Sequence, residues 1–300
     1  MSERLAWLIA HFVTTDDTQA RRRRSLGRQC GCRFAADCGQ CWRARGLASD
    51  EGARYARRVS EIESTPFEYQ ARNQKYRGAF LARGGMQPAA AVVLLPDWRG
   101  QSPLAHDHAR FLVEQGCAVV IGDLYGDGFS PTDPSQVGEM VKGLIENRER
   151  GVEALGACVS ALRARLRAGL PIFCLGYSAG GMVALDYGRS GADLSGIIVA
   201  SALLKTAAPN APTRIKAPVL IVQGTQDQVS PMAVIASVVA EMDAVGNDFR
   251  LELYGQTHHA FDNPDVGTDP QARLVYSPTA QARSRRAIAE FIREITQSAT

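Results

Sequence analysis

From residue 63 onward, two rhythms of apolar residues alternate along the chain, one predicting strands and the other helices. Short continuous apolar runs stand at 89–95, 118–121, 171–175, 197–200 and 219–222. Each is rich in aliphatic residues and flanked by turn formers, the form taken by a strand buried on both faces. Between them lie stretches of helical spacing. One covers 104–115 and stops at Gly116; another covers 135–168, with Val137, Met140, Val141, Leu144 and Ile145 and then Val152, Leu155, Val159 and Leu162 on its apolar stripe. Residues 182–187, 233–244 and 280–295 complete the helices, the last being basic and amphipathic. Residues 67–71 and 76–81 predict two antiparallel edge strands joined by a turn, and 249–254 alternates as a late strand. Buried strands separated by helices imply an α/β protein, with a mainly parallel, doubly wound sheet covered by helices on both faces. In such sheets ligand chemistry lies beyond the carboxyl ends of the strands.

The pattern fades toward the N-terminus. Residues 1–62 are polar and Arg-rich, with a run of four arginines at 21–24, and are expected to form a poorly ordered extension. Residues 63–300 carry the folded domain. Hydrophobic content of 45% and charged content of 22% suit a soluble globular enzyme, and a net charge of +3 indicates no particular partner. No stretch is long enough to span a bilayer. The short apolar run at 5–10 lacks a small-x-small cleavage site, and the arginine run follows it, so neither a secretory nor a twin-arginine export signal is expected. Of seven cysteines, Cys117, Cys158 and Cys174 sit in apolar segments as reduced core thiols, pointing to the cytoplasm.

Candidate chemistry begins at Gly176-Tyr177-Ser178-Ala179-Gly180-Gly181, between an apolar strand and a helix. Strand, Gly-x-Ser-x-Gly and helix is the sequence form of a nucleophile elbow, in which a tight turn lifts the serine hydroxyl above the sheet. A glycine-rich turn with a solvated serine is the plainer reading. An elbow requires an acid and then a histidine downstream, each past a strand end. Asp227 follows the 219–222 strand and a Gly turn, and His258-His259 follow the 249–254 strand. Asp133 and Asp243 are worse placed, since neither stands just past a late buried strand. A serine hydroxyl is a weak nucleophile at neutral pH. An imidazole takes its proton during attack and returns it to the leaving group, and an aspartate orients the imidazole and stabilises its cation. The oxyanion needs two N–H donors: the amide of Ala179, after the serine, and the amide of Trp98, in the loop after strand 89–95.

Four segments together resemble the dienelactone hydrolase family of the α/β-hydrolase fold, from about residue 65 to the end. They are Leu95-Pro96-Asp97-Trp98-Arg99-Gly100, Asp123-Leu124-Tyr125-Gly126, the Ser178 segment, and His259-Ala260-Phe261-Asp262-Asn263-Pro264. The resemblance implies an α/β-hydrolase fold and a triad of Ser178, Asp227 and His259, the histidine before a small residue and Phe being chosen over His258. It implies an oxyanion hole at Trp98 and Ala179. Two departures stand out. Family members that open dienelactones typically use cysteine where this chain has Ser178, with an acid near the thiol where it has Asp97. They also grip the substrate carboxylate with arginines, where this chain has Gly126-Asp127 and Asn263. A guanidinium at Arg99 is the one nearby substitute.

The expected protein is therefore a serine hydrolase of small-molecule carboxylic esters or lactones, acting through an acyl-enzyme and needing no cofactor or metal. Asp97, Arg99, Tyr125, Tyr177 and Phe261 are candidate pocket residues. A thioesterase, acyl transferase or peptidase is the same chemistry on another substrate. From a different class comes a zinc- or nucleic-acid-binding protein acting through the extension, where Cys30, Cys32, Cys38 and Cys41 offer four thiols beside the arginine run. The spacing of those thiols departs from known zinc motifs, and such arginine runs are commonly solvated, so neither nucleic acid nor membrane is an expected partner. His106 and His108 on the first helix read as surface or packing residues, and Arg283, Arg285 and Arg286 as the solvated face of the last. The sequence leaves oligomeric state open.

Overall fold

The computed structural model describes residues 61–204 and 213–298. The arginine run at 21–24 and the thiols of Cys30, Cys32, Cys38 and Cys41 lie outside them, as does nearly all of the expected extension. Within the described residues, strands β1 (Ile62–Ala71), β2 (Gln74–Arg83), β3 (Ala90–Leu95), β4 (Cys117–Ile121), β5 (Ile172–Ser178), β6 (Gly196–Ala202), β7 (Val219–Gly224) and β8 (Phe249–Tyr254) form one sheet in the order β1-β2-β4-β3-β5-β6-β7-β8. The first two are antiparallel to their neighbours and the rest are parallel, so the mainly parallel sheet expected from the apolar runs is what forms.

Burial explains why those runs lacked a period. Every residue of β3, β4, β6 and β7 is buried, because helices cover both faces. Alternate side chains still go to opposite layers. Ala91, Val93 and Leu95 pack toward α3 (Arg148–Arg165), α4 (Ala179–Arg189) and α5 (Met232–Ala244), whereas Val92 and Leu94 pack toward α1 (Pro103–Glu114) and α6 (Pro278–Ser298). Leu94 and Leu175 have no solvent exposure, and truncating either to alanine costs about 2–5 kcal/mol. No helix of the described residues is long and apolar enough to cross a membrane.

Local signals set the helix ends. Ser102 caps α1, its side chain accepting from the Ala105 amide, Pro103 opens the helix, and Gly116 follows with φ 88°. The helical region expected at 135–168 divides. A short 3₁₀ turn at Pro134–Gln136 leads into α2 (Val137–Glu146), and α3 begins only at Arg148. Asn147 causes the break. Its amide nitrogen and its side chain both donate to the Gly143 carbonyl, and its backbone leaves helical geometry at φ −118°, ψ 46°. The apolar stripe of α2 is therefore only half-buried: Leu144 and Ile145 pack against the core, and no α2 residue is fully buried.

Candidate active site

The site lies at the carboxyl ends of β3, β5, β6, β7 and β8. Strand β5 ends at Ser178, and α4 starts at the next residue. Ser178 has φ 48°, a conformation unfavourable for a residue with a side chain, so the turn is strained and held by its neighbours. Two glycines make it possible. A Cβ on Gly176 would lie 2.5 Å from the Gly180 carbonyl oxygen, and one on Gly180 would lie 2.4 Å from the Pro96 carbonyl oxygen. The β5–β6 register shifts at Tyr177/Ser178, and the Ser178 carbonyl accepts from the Leu203 amide at 2.8 Å. Strand, turn and helix together point the serine side chain out of the sheet.

There it meets a histidine. Ser178 Oγ lies 3.0 Å from His259 Nε2, and His259 Nδ1 lies 2.8 Å from Asp227 Oδ2. The Asp227 and His259 loops are laced together, the Gln226 amide donating to the Thr257 carbonyl and the Thr225 amide to Tyr254. Asp227 is buried, and its other oxygen accepts from the amides of Val229 and Ser230 at 2.7 and 2.9 Å. Burial by itself would raise the Asp227 carboxyl. The hydrogen bond and charge of His259, with the two amides, outweigh it and hold the group below its ordinary value. An ionised Asp227 accepts from Nδ1–H, which leaves Nε2 to accept from the serine hydroxyl.

These side chains open onto a cavity of about 280 Å³, lined by Trp98, Leu104, Tyr177, Leu274 and several polar groups. Trp98 and Ala179, the expected oxyanion donors, stand at this cavity and at the first residue of α4. The first amides of a helix have no intrahelical acceptor, which leaves the Ala179 N–H available. The Asp97 carbonyl accepts from the Gly100 amide at 3.1 Å, so the N–H across the same planar peptide, that of Trp98, points the other way. The Trp98 carbonyl accepts from the Tyr125 hydroxyl at 2.7 Å.

The candidate pocket residues divide. Asp97, Arg99 and Tyr177 line the cavity. Phe261 does not: it has no solvent exposure and packs edge-on against Tyr254 in the core, which corrects its expected place. Tyr125 also stands outside that wall. It borders a separate cavity of about 150 Å³ under α2 and α3, and its hydroxyl reaches the site through the Trp98 carbonyl. Arg99 is not a waiting anion site, since its guanidinium already bonds Asp97 at 2.9 Å and Asp265 at 3.2 Å. Burial would lower the Arg99 value, but the two carboxylates raise it.

Several residues at the site were given no part in it from sequence. Ser201, at φ 46° near the end of β6, accepts from the Ala260 amide at 2.7 Å and so supports the residue after His259. A polar residue ending a central buried strand was the available signal. His108, read as a surface or packing residue, is buried and stacks on Tyr177 with ring centroids 4.0 Å apart. Its Nε2 lies 3.2 Å from Asp262 Oδ2, out of line for a good hydrogen bond. Asp123 accepts from the amides of Arg77, Tyr125, Gly126 and Gly128 and thereby shapes the 123–128 loop. Among the described residues no three His, Cys, Asp or Glu side chains cluster to hold a metal ion.

With that geometry in hand, similarity to known proteins is specific. Residues 78–296 match the model of the dienelactone hydrolase family. A solved structure named m3DLH aligns with TM-score 0.73 and 27% identity, covering 78% of this chain and 98% of its own. A dienelactone hydrolase-like promiscuous phosphotriesterase from metagenomic libraries aligns at 0.70 and 24%, with coverage of 78% and 98%. A dienelactone hydrolase from Anabaena variabilis ATCC 29413 aligns at 0.57 and 17%, with coverage of 78% and 98%. The last two share the fold. No curated protein matched in sequence.

Proposed function

Since the chain belongs to the dienelactone hydrolase family and is a hydrolase, we propose that it cleaves carboxylic esters or lactones of small molecules through a Ser178, His259 and Asp227 triad. One observation carries this reading: the unbroken line from Ser178 Oγ through His259 to Asp227, 3.0 and 2.8 Å per link, at the wall of a small cavity.

In this reading Ser178 attacks the carbonyl carbon while Nε2 of His259 takes its proton. Asp227 stays ionised, accepts from Nδ1–H and stabilises the imidazolium. The amides of Ala179 and Trp98 receive the oxyanion, each worth about 3–4 kcal/mol of barrier. When the tetrahedral intermediate collapses, Nε2–H gives its proton to the departing alkoxide. Water, deprotonated by the same nitrogen, then displaces Ser178 from the acyl-enzyme, and the acid leaves. The nucleophile, the base, its orienting carboxylate and the oxyanion donors in this reading all belong to the chain itself. Serine is less acidic than the cysteine of dienelactone-opening relatives and depends more on His259 for activation. The free, buried thiols of Cys117, Cys158 and Cys174 suit a cytoplasmic enzyme.

The test is labelling by a fluorophosphonate probe, located by mass spectrometry. Labelling at Ser178 that is lost in His259→Ala supports the triad. Full-rate ester hydrolysis by Ser178→Ala sinks it. A panel of esters, thioesters and amides then separates esterase from thioesterase or peptidase.

A further inference from the structure

Among the described residues, the cavity wall beside Ser178 carries three carboxylates, Asp97, Asp262 and Asp265, and one guanidinium, Arg99. Arg99 is already committed. Its Nη2 and Nε reach Asp97 Oδ2 at 2.9 and 3.1 Å, and its Nη1 reaches Asp265 Oδ2 at 3.2 Å. The third carboxylate, Asp262, is nearly buried, and its close ionisable neighbour is His108 at 3.2 Å. With His108 neutral or protonated, these described groups sum to a net negative charge. Its remaining surface is largely apolar, from Trp98, Leu104, Tyr177 and Leu274. A carboxylate entering this space would meet three like charges and would have to displace two carboxylates from Arg99, the one guanidinium among the described lining residues.

We infer that the pocket takes esters whose acyl part is uncharged or cationic and rejects those bearing a carboxylate. The inference rests on the ester-hydrolase reading of Ser178 and adds to it the charge class of the substrate. The mechanism supports the same direction. The wall charge acts on the acyl group both on binding and in the acylation transition state, so discrimination is read in kcat/KM.

Three p-nitrophenyl esters of matched acyl length test it, ending in methyl, trimethylammonium and carboxylate. Rates are corrected for spontaneous hydrolysis. At low salt the cationic ester should exceed the anionic one in kcat/KM on the order of tenfold, with the uncharged ester well above the anionic. The gap should shrink near about 1 M salt, where the screening length is about 3 Å. Asp265→Asn, at an exposed position, should narrow it as well. An anionic ester cleaved as fast as the cationic one, in protein that labels at Ser178, overturns the charge inference and leaves the hydrolase reading standing. Failure to cleave any of the three, with no label at Ser178, overturns both.

Discussion

Helix α4 carries a charge network at each end, and the two are built differently. Toward its C-terminal end, Asp186 binds Arg148 through two contacts of 2.6 Å and Arg189 at 3.1 Å, and Arg189 turns on to Glu241 at 2.7 Å. Among the described residues two guanidiniums meet two carboxylates, all largely buried, and together they tie α3, α4 and α5. Near its start, Asp227 is matched to one imidazole, but the described lining of the cavity beyond sets three carboxylates against a single guanidinium. A matched set repays its own desolvation and does little else. An unmatched set beside open space keeps a field that acts on whatever enters. One end of α4 holds the fold; the other is left unsatisfied by the fold.

If the two ends are separable, substitutions should split cleanly between activity and stability. Ser178→Ala should lower kcat/KM for an ester on the order of 10⁴- to 10⁶-fold with an unchanged or slightly raised melting temperature, since it adds no strain to the φ 48° turn. A large drop in melting temperature would blur the distinction. Asp227→Asn should cost roughly 10⁴-fold in kcat, through the wrong imidazole tautomer. It should also change the acid limb of stability. The folded Asp227 carboxyl lies below its ordinary value. Its stabilising contribution is therefore present above the unfolded value of about 3.9 and lost as pH falls through the folded one. Urea midpoints measured between about pH 5 and pH 2 should fall less steeply in Asp227→Asn than in the native chain. Parallel curves would contradict this.

At the opposite end, Asp186→Ala removes the carboxylate that Arg148 and Arg189 share and should cost about 3–5 kcal/mol in urea unfolding. The kcat/KM of the protein that remains folded should hold near the native value. Ser201→Ala sits between the two cases. It leaves the Ala260 amide without its acceptor, so about 1 kcal/mol of stability and a few-fold in kcat should go together. Arg99→Gln has the smallest expected effect. Removing this guanidinium from the wall should strengthen the preference for cationic over anionic esters a few-fold, read as a ratio of kcat/KM values. An unchanged ratio would mean that Arg99 only braces the loop.

Much of this was legible beforehand, for reasons that are local. Buried parallel strands must be apolar on both faces, so β3, β4, β6 and β7 announce themselves as continuous runs. The Ser178 turn needs small neighbours within a few residues, and those are visible in sequence order. Serine, acid and histidine each had to follow a strand end, which placed Ser178, Asp227 and His259 in order. The break at Asn147 was not legible, because an Asn within a helical stripe declares no hydrogen bond to its own preceding turn.

The amino-acid order by itself determined the elements, their alternation and the residues available for chemistry, because those depend on spacing within one segment. Only the tertiary structure decided what each side chain faces. It put Phe261 in the core, Tyr125 behind Trp98 and His108 under Tyr177. It also brought Asp265 to Arg99 across 166 residues of chain. That meeting turns a lone arginine, on its face an anion site, into part of an acidic wall. Charge is summed in space, and no pattern along the chain contains the distance between segments that fold together.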